Sequence, residues 1–294
     1  MEADELVRSA RARASDPSVT STLGEPELVS VIIPSYNHRA YVETAIRSAL
    51  AQTHPAVQVI VIDDGSSDGS REFLQELSVQ ERFEFIPQAN AGICRTLNRA
   101  VRERARGSFI ALLASDDYWV PEKLALQLAR VRTEVGAELC FSQAREFRRE
   151  PADAFGAPFP ARVLEGDMLR HVVFRQHVPA GTLLFSRALY DRLGGFDESL
   201  REEDWDFVIR AASQTRFVAV QQPLLLYRGH ATNAMRSRSR SAIFHQKALV
   251  LAKNFPLVSP TRWMLSLIVH FVHDVLLQRL LAFLPRYRPV RDHR

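Results

Sequence analysis

The amino-acid sequence predicts an α/β fold: a mainly parallel central sheet flanked by helices, with a C-terminal helical extension. Three observations point there. From Leu28 to Leu113, short apolar runs alternate with segments of helical spacing, the pattern of parallel strands covered on both faces. The 294 residues are 46% hydrophobic and 24% charged, the balance of an ordinary globular chain rather than a disordered or collagen-like one. No uninterrupted apolar stretch in the sequence reaches the ~18 residues of a membrane span.

The elements follow in order. Residues 1–27 are charged and contain Pro and Ser; they read as a flexible arm, with a short helix over Glu5–Ala14. They lack the apolar stretch of a secretory signal. Leu28–Ile33, closed by Pro34, is the first strand, and Tyr41–Gln52 places Tyr41, Ala45, Ile46, Ala49 and Leu50 at helical spacing. Val57–Ile62 is a second strand, and Ser67-Asp68 caps a helix reaching about Leu77. A strand at Phe83–Ile86, a helix at Gly92–Arg104 and a strand at Ser108–Leu113 complete this half.

Beyond it, a helix is expected at Pro121–Thr133, a short strand at Leu139–Ser142 and a loop over 145–162, which includes Arg148-Arg149. Thr182–Phe185 reads as a strand, Glu203–Ala212 as a helix, and Phe217–Val220 and Leu224–Tyr227 as two short strands. Residues 240–255 and 261–284 read as helices. The expected organisation is thus an arm at 1–27, a catalytic domain at 28–235 divided near residue 120, and a basic extension at 236–294.

Ligands of parallel sheets sit at the carboxyl ends of the strands, and three polar clusters fall there. Pro34-Ser35-Tyr36-Asn37 offers an aromatic ring and an amide, which suit a nucleobase; the plain alternative is a turn. Asp63-Asp64-Gly65 places two repelling acids at a strand end, where a nucleoside's imide N–H and ribose hydroxyls need acceptors. Ser115-Asp116-Asp117 provides paired carboxylates that suit a hard divalent cation such as Mg²⁺ or Mn²⁺. Further on, Gly194-Gly195-Phe196-Asp197-Glu198 suits a close backbone approach. Four acids within Glu202-Glu203-Asp204-Trp205-Asp206 open a helix and include a candidate general base. Arg228 and His230 of Tyr227-Arg228-Gly229-His230 suit charge neutralisation on a leaving group.

In order along residues 28–235, these segments resemble the inverting glycosyltransferases of family 2. The resemblance rests on Val29–Asn37, Gln52-Thr53, Val61–Asp68, Asn90-Ala91-Gly92, Ser115-Asp116-Asp117, Gly194–Asp197 and Glu203–Asp206. It implies the GT-A fold and a nucleotide-sugar donor. Carried over by position, Pro34, Tyr36 and Asp64 contact the nucleoside, with Asp63, Asn37 and Asn90 nearby. Asp116 meets the ribose or sugar-phosphate side, beside Arg228. Asp117 holds the metal, joined by His230, and Asp204 deprotonates the acceptor hydroxyl. One departure is Ala114, where the family often has a further acid. Gln88–Asn98 and Ala114–Asp117 are similar to rhamnosyltransferases of lipopolysaccharide core assembly. The expected donor is therefore dTDP-rhamnose, with UDP-sugars as the alternative, and the acceptor a cell-surface glycan or lipid-linked precursor. A non-catalytic nucleotide-sugar-binding scaffold is the second reading. An NAD-type oxidoreductase is disfavoured, because Pro34–Asn37 stands where a Gly-x-Gly-x-x-Gly turn belongs.

Charge is uneven. Residues 205–294 hold 14 Lys/Arg against Asp206, Asp274 and Asp292, a net +11, whereas the whole chain carries +4. No nucleic-acid-binding motif accompanies that charge. Within 261–284, Ser266, His270, Asp274 and Gln278 form a polar stripe on an otherwise apolar helix, followed by Arg286, Arg288 and Arg291. That pattern fits a helix lying on an anionic membrane surface, and equally one packed on the domain or in an oligomer interface. Cys94 and Cys140 read as small buried hydrophobes in a reducing compartment, and the expected location is the cytoplasm, peripheral to the cell membrane.

Overall fold

A computed structural model describes residues 26–148, 155–200, 203–230 and 239–277. The helix expected at Glu5–Ala14, Arg149, Glu202, Arg236, Arg238, Gln278 and the arginines from 286 onward lie outside the described residues.

In the N-terminal half, β1 (Val29–Ser35), β2 (Val57–Asp64), β3 (Glu84–Gln88) and β4 (Phe109–Leu112) pair in parallel. They are joined by α1 (Val42–Leu50), α2 (Ser70–Gln80) and α3 (Ile93–Glu103). The apolar runs are continuous because both faces are covered. Ile32, Ile60, Ile62 and Ile110 pack with Cys94, Leu97 and Val101 of α3. The alternate residues Val31, Ile33, Val59 and Val61 pack with Ala45 and Ile46 of α1 and Leu74 of α2. Both cysteines are buried, and Cys94 Sγ donates to the Leu200 carbonyl (3.3 Å). Pro34 does not end the first strand, which runs on to Ser35 with Pro34 opposite Ile62. The neighbour on the other side, β4, has its last pair at Ile32, so the missing N–H of Pro34 falls where no strand needs it.

The C-terminal half adds β5 (Tyr118–Trp119), α4 (Lys123–Arg132), β6 (Leu139–Phe147), α5 (Leu169–Val172), β7 (Leu184–Ser186), α6 (Arg187–Leu193), α7 (Glu203–Ala212) and β8 (Phe217–Arg228). One eight-stranded sheet results, in the order β3-β2-β1-β4-β7-β6-β8-β5. β7 runs antiparallel to β4 and β6, and β5 antiparallel to β8, while β6 and β8 are parallel. The strands expected at 217–220 and 224–227 are one strand. Their polar interruption, Gln221-Gln222-Pro223, is a bulge where the pairing jumps from Ser142–Val220 to Gln143–Pro223. β6 continues through Arg145 and Glu146 to Phe147, into the expected loop, because backbone pairing with β8 holds even its polar end. β7 starts two residues later than expected, after a 3₁₀ turn at Ala180–Thr182. The fold is the GT-A arrangement that the resemblance implies.

The C-terminal extension forms α8 (Arg240–Lys253) and α9 (Pro260–Phe271), continued by a π-helical turn at Val272–Leu277. It packs on the α7 side of the domain: the Asn254 amide donates to Asp206 Oδ1 (2.8 Å) and Ser266 Oγ donates to the Val173 carbonyl (2.7 Å).

Candidate active site

The carboxyl ends of β1 and β2 are stitched together. Asn37, in the left-handed region at φ 54°, donates its backbone N–H to Ser66 Oγ (2.9 Å), and its side-chain oxygen accepts from Ser67 N (2.8 Å). Asparagine tolerates that conformation better than most residues. The side chain of Asn37 is therefore committed to the loop. Tyr36 beside it is 50% exposed, so its ring is open to stacking.

Asp63 and Asp64 have different surroundings. The Asp64 carboxylate accepts from Gln88 Nε2 (2.7 Å), Ala91 N (2.7 Å) and Gly92 N (3.0 Å), which anchors the turn that begins α3. Asn90 donates to the Asp64 carbonyl (3.0 Å). Gly65, at φ 79°, lies so close to this turn that a Cβ would stand 2.6 Å from Asn90 N. Asp63, opposite Ser35 across the β1–β2 pair, accepts from Ser66 N through Oδ2 (3.1 Å). Its other oxygen and Ser35 Oγ are buried without a partner among the described residues. Two adjacent polar atoms in that state call for an external partner.

After β4 the chain turns through Ser115, Asp116 and Asp117. Asp116 Oδ2 lies 3.0 Å from His230 Nε2 and 3.9 Å from His38 Nε2. Ligand atoms from these three residues fall within 4.8 Å of one another, the spacing of a cation site. His38 Nδ1 is 2.8 Å from Ser115 Oγ; a proton donated there leaves the Nε2 lone pair facing Asp116 and His230. Burial lowers the pKa of His38, against the opposing pull of Asp116, and so favours the neutral, ligating form. Tyr41 stacks on His230, with ring centroids 5.1 Å apart.

Asp117 points elsewhere. Its Oδ1 accepts from Arg228 N (2.8 Å), and Oδ2 is turned toward Gly181. Burial first, and the Asp116 charge second, push its carboxyl well above the usual range, despite the Arg228 hydrogen bond. Arg228 Nε donates to the Asp116 carbonyl (2.8 Å), and the guanidinium lies over the rings of Phe147 (4.6 Å) and Tyr41 (4.8 Å).

Asp204 stands in the first turn of α7. Four residues link α7 to the start of β8, and Gln176, which bonds Asp204, leads along the chain to Gly181, beside Asp117 Oδ2. Asp204 is partly exposed and accepts from Trp205 N (2.8 Å) and Gln176 Nε2 (3.2 Å). Burial nevertheless raises its carboxyl pKa.

Asp206 and Asp197, among the described acids nearby, are structural. Asp206 is buried and paired with Arg210 (2.6 Å), and Asp197 pairs with Lys253. The close approach at Gly194-Gly195 is to the protein itself: a Cβ on Gly195 would stand 2.6 Å from Asn98 Oδ1.

Residues 30–154 match the family described as Glycosyl transferase family 2. Over that span the chain is similar to the family 2 glycosyltransferases. The Bacillus subtilis protein TuaG, named for teichuronic acid biosynthesis, is 45% identical over 103 residues, 34% of this chain and 40% of that protein. The chain covers less than two thirds of the length of the curated relatives it matches. In fold, the S. aureus TarS 1–349 complex with UDP-GlcNAc superposes at TM-score 0.67 and 17% identity, over 87% of this chain and 76% of that one. The mannosyltransferase PcManGT of Pyrobaculum calidifontis, with GDP-Man and Mn²⁺, superposes at 0.62 and 19% identity, over 91% and 77%.

Three residues of this candidate site carry no signal in the sequence. His38 and Tyr41 sit in a segment whose helical spacing explains them as loop and core, and Gln176 lies in a stretch with no periodic signal.

Proposed function

We propose that the chain is an inverting glycosyltransferase that moves a sugar from a nucleotide diphosphate sugar to a hydroxyl of a cell-surface glycan precursor. The observation that carries this reading is the grouping of Asp116, His38 and His230 at the carboxyl edge of the sheet, beside the fixed positive charge of Arg228. A carboxylate with two imidazoles fits Mn²⁺ better than Mg²⁺, which prefers oxygen ligands throughout. In this reading Asp116, His38 and His230 would hold the ion, while Asp117 positions the backbone of Arg228. Bound there, it would supply neutralisation of the diphosphate leaving group.

The chain's own groups do the rest. Asp63 Oδ1 and Ser35 Oγ accept from and donate to the nucleoside, and Tyr36 stacks on it. Asp64 and Asn90 shape the wall through the α3 turn. Arg228, clamped between two rings, meets charge developing on the leaving oxygen without having to reorganise. Asp204 takes the proton of the acceptor hydroxyl as that oxygen bonds the anomeric carbon, and the carbon–diphosphate bond breaks on the opposite face. One displacement with one carboxylate inverts the configuration.

The preferred donor is dTDP-rhamnose, with UDP-sugars as the alternative, and the acceptor class is lipopolysaccharide core or O-antigen precursor. This preference rests on the sequence likeness around Gln88–Asn98 and Ala114–Asp117. A thermal-shift screen of nucleotide sugars with and without Mn²⁺, followed by assay of nucleoside diphosphate release, tests it through ligand linkage. The reading expects one donor to raise the melting temperature further with Mn²⁺ and to be turned over. Absence of any shift would overturn it, and binding without release points to the scaffold reading.

A further inference from the structure

The stripe Ser266, His270 and Asp274 is turned onto the domain, not outward. Ser266 Oγ is bonded to the Val173 carbonyl, the His270 ring packs edge-on to Trp205 at 5.1 Å, and Asp274 is buried in an ion pair with Lys247 (2.8 Å). Trp263 Nε1 adds a bond to the Leu251 carbonyl (2.8 Å). These directional contacts fix the helix in rotation. As a result its outer face is apolar. Met264, Leu265, Ile268, Val269, Val272 and Leu276, spaced along one side, are each between 42% and 56% exposed. A contiguous apolar face on a helix held by polar bonds on its inner side marks an interaction surface.

Charge selects the partner. Asp274 is neutralised inside by Lys247, whereas Arg262 is exposed at the start of α9. The sequence from 278 to 294 adds five arginines against Asp292 alone. An apolar helix face with Arg262 at its start, followed in sequence by an arginine-rich stretch, fits the boundary between acyl chains and anionic headgroups. Among the described residues no helix is long and apolar enough to cross a membrane; the polar inner stripe, held by Val173 and Lys247, leaves one apolar side to lie along the surface. We infer that the outer face of α9 and its π-helical continuation seats the protein on an anionic bilayer.

The position of this face gives the inference a consequence for the substrate. His270 touches Trp205, the residue after Asp204, so the bilayer-facing helix is braced against the element that carries the candidate base. Resting on the glycosyltransferase reading, this assigns the acceptor to the lipid-anchored class, brought to Asp204 along the membrane plane.

The test is vesicle flotation of the full chain with phosphatidylcholine alone and with phosphatidylglycerol mixed in. It is run beside Ile268→Glu and Met264→Glu, which change exposed side chains only. The wild-type chain should float with the anionic vesicles and less with neutral ones, and each variant should bind at least ~10-fold more weakly. Three results would overturn the inference: no flotation of the wild-type chain, equal flotation with both vesicle types, or variants that float like wild type. A dimer that Ile268→Glu dissociates, without flotation, would assign the face to a second copy instead. Flotation needs neither donor nor acceptor, and a donor-induced thermal shift on the same variants reports separately on the catalytic reading.

Discussion

Asp204 combines two opposing influences: burial raises its carboxyl pKa, and hydrogen bonds from Gln176 and Trp205 N lower it. Only the ionised carboxylate accepts a proton, so activity should fall on the acid side at a pH above the ordinary carboxylate range. Gln176→Leu removes a bond that favours the charged form. The acid limb of the kcat profile should then move to still higher pH; an unmoved limb would detach Gln176 from the base. Asp204→Asn should cost about 10²–10⁴-fold in kcat and leave the donor-induced thermal shift intact. Wild-type turnover in that variant would remove Asp204 from the mechanism. The Asp63/Asp64 pair shows what the residue scale of the sequence conveys. Two acids at a strand end are visible, but which one is spent on the α3 turn depends on where Ala91 and Gly92 approach, and spacing does not record that.

At the scale of elements, two buried features carry stability predictions. Lys123 at the start of α4 is fully buried, bonded to Gln127 Oε1 (2.7 Å) and set 3.9 Å from the Trp119 ring. Burial lowers its pKa to about 7, against an ordinary value of ~10.4 in the unfolded chain. Between those values the unfolded chain binds more protons, so this group makes stability rise with pH, and its full penalty applies below pH ~7. Urea unfolding of Lys123→Met should lack that rise between neutral pH and pH ~10; parallel profiles for the two proteins would contradict it. In the α6–α7 connection, Gly195→Ala places a Cβ against Asn98 Oδ1 at φ 84°. It should destabilise by about 2–3 kcal/mol, read as a drop in urea midpoint with an unchanged m-value. Legibility differs between elements for related reasons. The parallel strands, buried on both faces, announce themselves as apolar runs. β8 hides its continuity behind the Gln221–Pro223 bulge. The short α6 has a readable cap, Ser186, whose Oγ accepts from Leu189 N (2.9 Å), but its seven residues span too few turns for a periodic signal.

The whole molecule brings together residues from four separate segments: Ser35–His38, Asp63, Asp116 and Arg228–His230. Alternating strands and helices make the carboxyl edge of the sheet readable as the place for a ligand. The cation geometry is not readable in that way, because it depends on the segment after β4 crossing to pair β5 with β8, so that Asp116 lies between the β1 loop and the end of β8. Likewise, the polar stripe of α9 is plain in the sequence, but its inward direction follows from contacts with Val173, Trp205 and Lys247. The central claim is that Asp116, with His38 and His230, holds a cation against a nucleoside diphosphate. Calorimetric titration of the nucleoside diphosphate with and without Mn²⁺, on the wild-type chain and on Asp116→Ala, tests it most directly. Mn²⁺ should tighten binding to the wild-type chain by tenfold or more, roughly 1.4 kcal/mol, and leave the variant's weaker binding unchanged. An equal gain from Mn²⁺ in both proteins would contradict the account.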